Sequence, residues 1–339
     1  MLRLPAFELR EPRSLAEAVA LLSEHGESAQ LLAGGTDLVP NMKHELFTPK
    51  VVIALAGVPE LHGVRVEPDG TLVLGALTTL DALAADARVR ARAPALAQAA
   101  SLVAGPQLRR MGTLGGNVML DTRCQWYNQT YFWRSALGFC LKKDGTVCHV
   151  VAGGANCVAA ASNDTAPALM SLDARLVLHG PAGRQELPIE ELYTADGIHN
   201  KRVRGAILAE VRVPPVPEGH RGAYGKLRER GSIDFPLLGI AARLDLSPAG
   251  EVRAAALCAV ALQARPLRLR KAVQPLLGQR TGTPGLAAAI DAAAELAHKQ
   301  CHPLDNVPGE AEYRREMVPV YVRRTLRAAL DGSGPVHHV

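Results

Sequence analysis

The chain has 339 residues, 48% hydrophobic and 21% charged, which is enough to bury a core larger than one compact domain usually needs. Only 13 residues are aromatic, so a broad stacking platform for single-stranded RNA is excluded, and no apolar run approaches the ~20 residues of a membrane-spanning helix. The formal net charge of +5 comes from 38 cations and 33 anions interspersed along the chain without a long basic run, so the surplus points to an acidic cofactor or subunit as readily as to nucleic acid.

Ser14-Leu15-Ala16-Glu17 has the form of a capping box and opens an amphipathic helix that Gly26 closes. A short strand over residues 29–32 then leads into Ala33-Gly34-Gly35-Thr36-Asp37-Leu38, where two glycines permit positive φ and close approach of a ligand to the backbone. Residues 51–56 and 72–74 read as strands, with a helix near 80–88 after the Thr78-Thr79 cap and another over 93–104 ended by Gly105-Pro106. Thr113-Leu114-Gly115-Gly116-Asn117 follows as a second glycine-paired turn. Such turns present successive N–H groups that suit a pyrophosphate, although each alone is more often only a turn. No G-x-G-x-x-G opens a βαβ unit, which argues against a nicotinamide site of the Rossmann kind.

Residues 121–161 change composition abruptly and read as an inserted module, holding six of the 13 aromatics and Cys124, Cys140, Cys148 and Cys157. The spacings of 15, 7 and 8 residues between these cysteines match neither paired C-x-x-C zinc sites nor the usual ferredoxin run. Spacing alone leaves an iron–sulfur cluster, zinc and free buried thiols equally open. Asp144-Gly145 signals a turn, but a strict two-residue hairpin would aim Cys140 and Cys148 at opposite faces, so one shared metal requires an irregular loop. Beyond the module we expect a helix from 164–167, where Asp164 by itself reads as a cap, a hairpin at Pro181-Ala182-Gly183 and a strand over 206–213. Pro214-Pro215-Val216-Pro217 marks a boundary. Strands near 222–228, 237–246 and 252–262 and helices near 284–300 and 310–330 then predict an antiparallel sheet backed by helices, with Cys258 as a packed thiol. His298, Cys301 and His302 have helical spacing that more often makes a surface face than a metal site.

The run Leu31-Leu32-Ala33-Gly34-Gly35-Thr36-Asp37-Leu38, then Thr113-Leu114-Gly115-Gly116-Asn117, Asp164 ahead of Pro167, and Lys226 before Ser232-Ile233-Asp234-Phe235-Pro236 resemble, in order and spacing, the FAD-binding subunit of the molybdenum hydroxylase (xanthine dehydrogenase) family. The resemblance implies an α+β chain. Residues 1–216 would form a vanillyl-alcohol-oxidase or PCMH-type FAD domain in two subdomains, with the insertion at 121–161, followed by a C-terminal domain over 217–330 with a small antiparallel sheet and helices, and a tail over 331–339. It also implies FAD contacts from Leu31, Leu32, Ala33, Gly34, Gly35, Thr36, Asp37 and Leu38, from Thr113, Gly115, Gly116 and Asn117, and from Asp164, Leu208 and Lys226.

The cysteine-bearing insertion is similar to that of the 4-hydroxybenzoyl-CoA reductase branch, in its β subunit, whose extra loop carries a [4Fe-4S] cluster. By that resemblance Cys124, Cys140, Cys148 and Cys157 are the cluster ligands, with the aromatics shielding them. Electrons from ferredoxin would pass through the cluster and FAD to a small [2Fe-2S] subunit and a large molybdopterin-cytosine-dinucleotide subunit, in a dimer of heterotrimers, for reductive removal of a phenolic hydroxyl. No catalytic residue is expected on this chain, nor a nucleic acid or membrane partner, and its location reads as cytoplasmic. Two other readings stand beside it: the FAD subunit of an oxidative molybdenum hydroxylase acting on an aromatic or N-heterocyclic substrate, and a zinc-stabilised FAD-binding assembly subunit.

Overall fold

Ser14 starts the first helix of the computed structural model, which describes residues 2–337. Its Oγ accepts from the Glu17 N–H at 3.2 Å while Glu17 reaches back to the Arg13 N–H at 2.7 Å, one residue earlier than the usual box. Helix Leu15–His25 runs to Gly26 at φ +50°. It packs on a parallel sheet of β1 (Glu8–Arg10), β2 (Ala29–Leu32) and β3 (Val51–Ala54) in the order β1-β3-β2. The central strand is apolar throughout because both of its neighbours and the helix cover it, and Val51 and Ile53 join Ala18 in one core.

The second layer is an antiparallel sheet of β4 (Val64–Val66), β5 (Leu72–Gly75), β6 (Arg175–Gly180), β7 (Gly183–Pro188) and β8 (Ile207–Val213), in the order β4-β5-β8-β6-β7. Its Leu72, Leu74, Leu176 and Val211 share a core with Leu83, Leu96 and Leu169 from the helices laid across it. The helix expected over 80–88 is broken at Asp86, whose extended backbone (ψ 123°) ends Leu80–Ala85 and whose carboxylate caps the N–H groups of Arg88 and Val89 to begin Ala87–Arg92. The helix expected over 93–104 runs only from Pro94 to Ser101, short of Gly105-Pro106, where Gly105 and Pro106 instead open a new helix, Pro106–Met111.

After Pro214 to Pro217, β9 (His220–Leu227), β10 (Leu238–Leu246), β11 (Val252–Val260), β12 (Leu267–Arg268) and β13 (Val336–His337) form a third sheet in the order β12-β11-β10-β9-β13, antiparallel except where β13 joins β9. Helices Pro284–Gln300 and Ala311–Asp331 cover one face, and Tyr224, Ala241 and Cys258 on the other belong to the core of the second layer. The mixed α+β expectation and the helix-backed sheet therefore hold. Among the described residues no helix is long and apolar enough to cross a membrane.

Candidate functional site

β2 delivers the chain into the first glycine turn, whose tightness has a steric cause. A Cβ on Gly34 would stand 1.7 Å from the Met111 carbonyl oxygen, and Gly35 holds φ +72°. Among the described residues, the N–H groups of Gly34, Gly35, Thr36 and Asp37 donate to no protein acceptor. They stand at the rim of a cavity of about 480 Å³ whose walls include Thr113, Gly116, Asn117 and Asp164. Four free donors beside a roomy cleft suit the oxygens of a diphosphate.

The second glycine turn works differently from the nest expected of it. Leu114 N–H donates to Thr78 O at 2.9 Å, Gly115 to Ala76 O at 2.7 Å, Gly116 to Thr113 Oγ1 at 3.1 Å and Asn117 to Thr113 O at 3.0 Å. Its backbone donors are therefore spent on the fold, and the side chains carry its chemistry. Thr165 saturates the Asn117 Oδ1 through its N–H at 3.0 Å and its hydroxyl at 2.6 Å, which leaves the amide Nδ2 as the donor toward the cavity. Gly115 lies outside the lining because it packs on Ala76, where a Cβ would come within 2.7 Å of the Ala76 Cβ.

Of the other expected flavin contacts, Leu31, Ala33, Thr36, Asp37 and Leu38 line the cavity, whereas Leu32, Leu208 and Lys226 do not. Leu32 supports the turn from below, within 3.2 Å of where a Gly35 Cβ would be, and Leu208 is a core residue of β8. Lys226 is fully buried behind Asp164, not a solvated strand residue, and donates to Asp164 Oδ2 at 3.1 Å and Leu102 O at 2.9 Å. Asp164 is no cap: its side chain makes no capping bond, and Oδ1 instead accepts from the Tyr224 hydroxyl at 2.8 Å. Burial raises its carboxyl above the ordinary value, against the pull of Lys226 and the Tyr224 hydrogen bond.

Several residues left unassigned from sequence line the cavity or pair with its lining. Arg123 pairs with Asp37 and lies 4.3 Å over the Phe235 ring, and burial lowers its guanidinium to about 10. Phe235, Ile233 and Asp234 come from the β9–β10 loop, Asp121 from the start of the cysteine module and Ser162 from just past its end. The signal for the loop was present in the Ser-Ile-Asp-Phe-Pro run. Nothing local marked Arg123 or Asp121.

The module gathers Cys124, Cys140, Cys148 and Cys157 around a second, small cavity, together with Trp126 and His149. The loop is irregular, as a shared site required. Phe139 and Asp144 adopt φ +62° and +65°, Gly145 donates to Cys140 O at 3.1 Å and Leu141 to Val147 O at 2.8 Å, so Cys140 and Cys148 reach the same space. All four thiols are free. The N–H groups of Val151 and Ala159 lie 3.5 Å from the Cys148 and Cys157 sulfurs. Burial pushes the Cys124 thiol up to about 12 and raises Cys157 as well. Among the described residues no group of three or more His, Cys, Asp or Glu is placed to hold a metal ion. Cys258 and Cys301 are core thiols, and His298 turns to Glu316 at 2.9 Å, so the helical triple does not converge.

Two family models divide the chain: the FAD binding domain in molybdopterin dehydrogenase over residues 5–216 and the CO dehydrogenase flavoprotein C-terminal domain over 223–329. The chain is 32% identical to the carbon monoxide dehydrogenase medium chain of Hydrogenophaga pseudoflava, covering 96% of this chain and 97% of that one. It is 27% identical to the xanthine dehydrogenase FAD-binding subunit of Escherichia coli O157:H7, with 95% of each covered. The solved Hydrogenophaga pseudoflava carbon monoxide dehydrogenase that lacks the Mo-pyranopterin moiety superposes with a TM-score of 0.79 at 30% identity, covering 97% of this chain and 99% of that one. With the glycine turn, the Asn117 and Asp164 walls and both domain models in place, the chain belongs to the FAD-binding medium subunits of the molybdenum hydroxylase family, the carbon monoxide and xanthine dehydrogenase types.

Proposed function

We propose that this subunit joins a one-electron centre to its flavin, with a [4Fe-4S] cluster held by Cys124, Cys140, Cys148 and Cys157, and that it serves a molybdenum enzyme of the 4-hydroxybenzoyl-CoA reductase type. The observation that carries the reading is the convergence of four free thiols, scattered over 34 residues of sequence, on one cavity. A four-iron cluster would place each of the four thiolates on a different iron. Amide N–H groups near two sulfurs and the Trp126 and His149 walls fit such a group, since hydrogen bonds to sulfur and exclusion of water both tune it.

The free N–H groups of residues 34–37 would hold the FAD diphosphate, Asn117 Nδ2 and the Thr113 hydroxyl would orient it, and Asp164, fixed by Lys226 and Tyr224, would present a carboxylate to it. When bound, FAD exchanges electrons singly or in pairs, which is what lets a one-electron donor such as ferredoxin serve a two-electron reaction. The reducible substrate would sit on a large molybdenum subunit, reached through a small [2Fe-2S] subunit. The protein's contribution here is position and charge.

An oxidative reading has its own support, because the relatives named above belong to carbon monoxide and xanthine dehydrogenases. It keeps the flavin and reverses the electron flow. Anaerobic purification with quantitation of iron, acid-labile sulfide, zinc and FAD, and EPR after dithionite reduction, tests the proposal. About four irons and four sulfides per chain beside one FAD are expected. Flavin with zinc, or with no metal, would remove the cluster and with it the reductase assignment. A cluster midpoint far above that of the flavin would favour the oxidative direction.

A further inference from the structure

Between the two cavities runs one partly buried string of polar groups that ends on a cation at the cysteines and a carboxylate at the flavin side. Lys142 lines the cysteine cavity, where among the described residues it is the sole Lys or Arg, and its side chain is 5% exposed. Its Nζ donates to Asp121 Oδ1 at 3.0 Å, to Thr122 Oγ1 at 2.8 Å and to Gly197 O at 2.6 Å. An ammonium has three donors, so this one is committed in full and its charge has a single position. The Gly197 anchor is itself pressed on a cluster cysteine: its N–H donates to Cys157 O at 2.9 Å, and a Cβ there would meet the Cys157 sulfur at 2.7 Å.

At the other end Asp121 lines the flavin cavity. Its Oδ1 also accepts from the Thr122 N–H at 2.8 Å and from Asn200 Nδ2 at 3.2 Å, so three donors hold the carboxylate in place while Oδ2 takes no protein donor among the described residues. A cation beside a centre favours the added electron and an anion disfavours it, and both effects are large where water is excluded.

We propose that Lys142 and Asp121 set the potentials of the two centres in opposite directions, the ammonium raising that of the cysteine-bound cluster and the carboxylate lowering that of the flavin. The inference rests on the cluster and flavin assignments above. Each transfer moves one electron and forms or breaks no bond. Relative to a cluster of low and a flavin of high potential, the pair draws the two together, so electrons cross between them with little loss in either direction.

Potentiometric titration of the anaerobically purified complex reads the two halves separately, the cluster by EPR and the flavin by visible absorbance. Lys142→Met is expected to lower the cluster midpoint by about tenfold in the one-electron equilibrium, or about 59 mV, while Lys142→Arg stays near wild type. Asp121→Asn is expected to raise the flavin midpoint by a similar factor. Should Lys142→Met lose iron, Lys142→Gln, which keeps two donors for the same acceptors, carries the test. An unchanged cluster midpoint in an iron-replete neutral variant overturns the role of Lys142, and an unchanged flavin midpoint in Asp121→Asn overturns that of Asp121. Wild-type protein without iron would instead sink the cluster assignment, with the Asp121→Asn flavin titration still deciding the carboxylate half.

Discussion

Asp164 and Lys226 are both fully enclosed, and a buried ion pair costs most when one partner is removed. Lys226→Met should destabilise the protein by about 3–5 kcal/mol, because Asp164 would keep only Tyr224 as a direct partner, with Arg228 further away. Burial already holds the Asp164 carboxyl above its unfolded value of 3.8, so the folded state binds its proton more tightly than the unfolded chain does. The stability Asp164 contributes is therefore full below the unfolded value and is lost as pH rises through the folded one. Lys226 is the largest influence opposing that rise, so without it the loss extends to higher pH. Urea midpoints from about pH 5 to about pH 8 should fall more steeply for Lys226→Met than for wild type, and adding Asp164→Asn should remove the slope. Parallel profiles for wild type and Lys226→Met would show that the lysine does not hold this carboxylate.

Among the elements, the glycine turn after β2 makes the sharpest demand on residue type. Gly34→Ala places a Cβ against the Met111 carbonyl, a backbone atom that no side-chain rotation relieves. The turn and helix Pro106–Met111 must part, at about 1–3 kcal/mol, and flavin absorbance per chain should drop while the far-ultraviolet dichroism is kept. Flavin content equal to wild type would show that the turn is not the diphosphate cradle. This element was legible because glycine pairs and alternating apolar runs act locally, and the same is true of the Ser14 cap, the Pro181-Ala182-Gly183 hairpin and helix Pro284–Gln300. The second glycine turn misled because two of its N–H partners, Ala76 and Thr78, lie far back in the sequence, while Thr113 takes the other two as the cap of a short helix. Lys226 could not be placed from sequence alone for a similar reason: a lysine between apolar neighbours looks like a solvated strand position until Asp164, 62 residues away, is brought to it. The cysteine module was visible as a composition change. That its sulfurs converge depended on positive φ at Asp144, which the Asp-Gly pair announces, and at Phe139, which nothing in the sequence announces.

Across the whole molecule, the flavin cavity is walled by both halves of the chain, since Ile233, Asp234 and Phe235 reach it from the loop between β9 and β10. Two kinds of contact join those halves. One is ionic: besides the buried Asp164–Lys226 pair, Asp173 meets Arg243 at 3.2 Å and Arg268 at 2.7 Å at the surface, and Glu190 meets Arg268 and Arg270. Asp173 is 61% exposed, however, and exposed pairs contribute at most about 1 kcal/mol. The other is apolar: Tyr224, Ala241 and Cys258 of the third sheet are buried in the same core as Leu96 and Leu169, which removes far more surface from water. The joint is thus part of the core itself, and it exists whether or not flavin is bound. Calorimetry should then give one transition for the flavin-free chain, and Asp173→Asn should leave it single with a loss below about 1 kcal/mol. FAD at 100 times its dissociation constant should add about 2.7 kcal/mol and raise the midpoint by a few degrees. Two separate transitions in the flavin-free chain would mean that the cofactor, and not the shared core, holds the halves together.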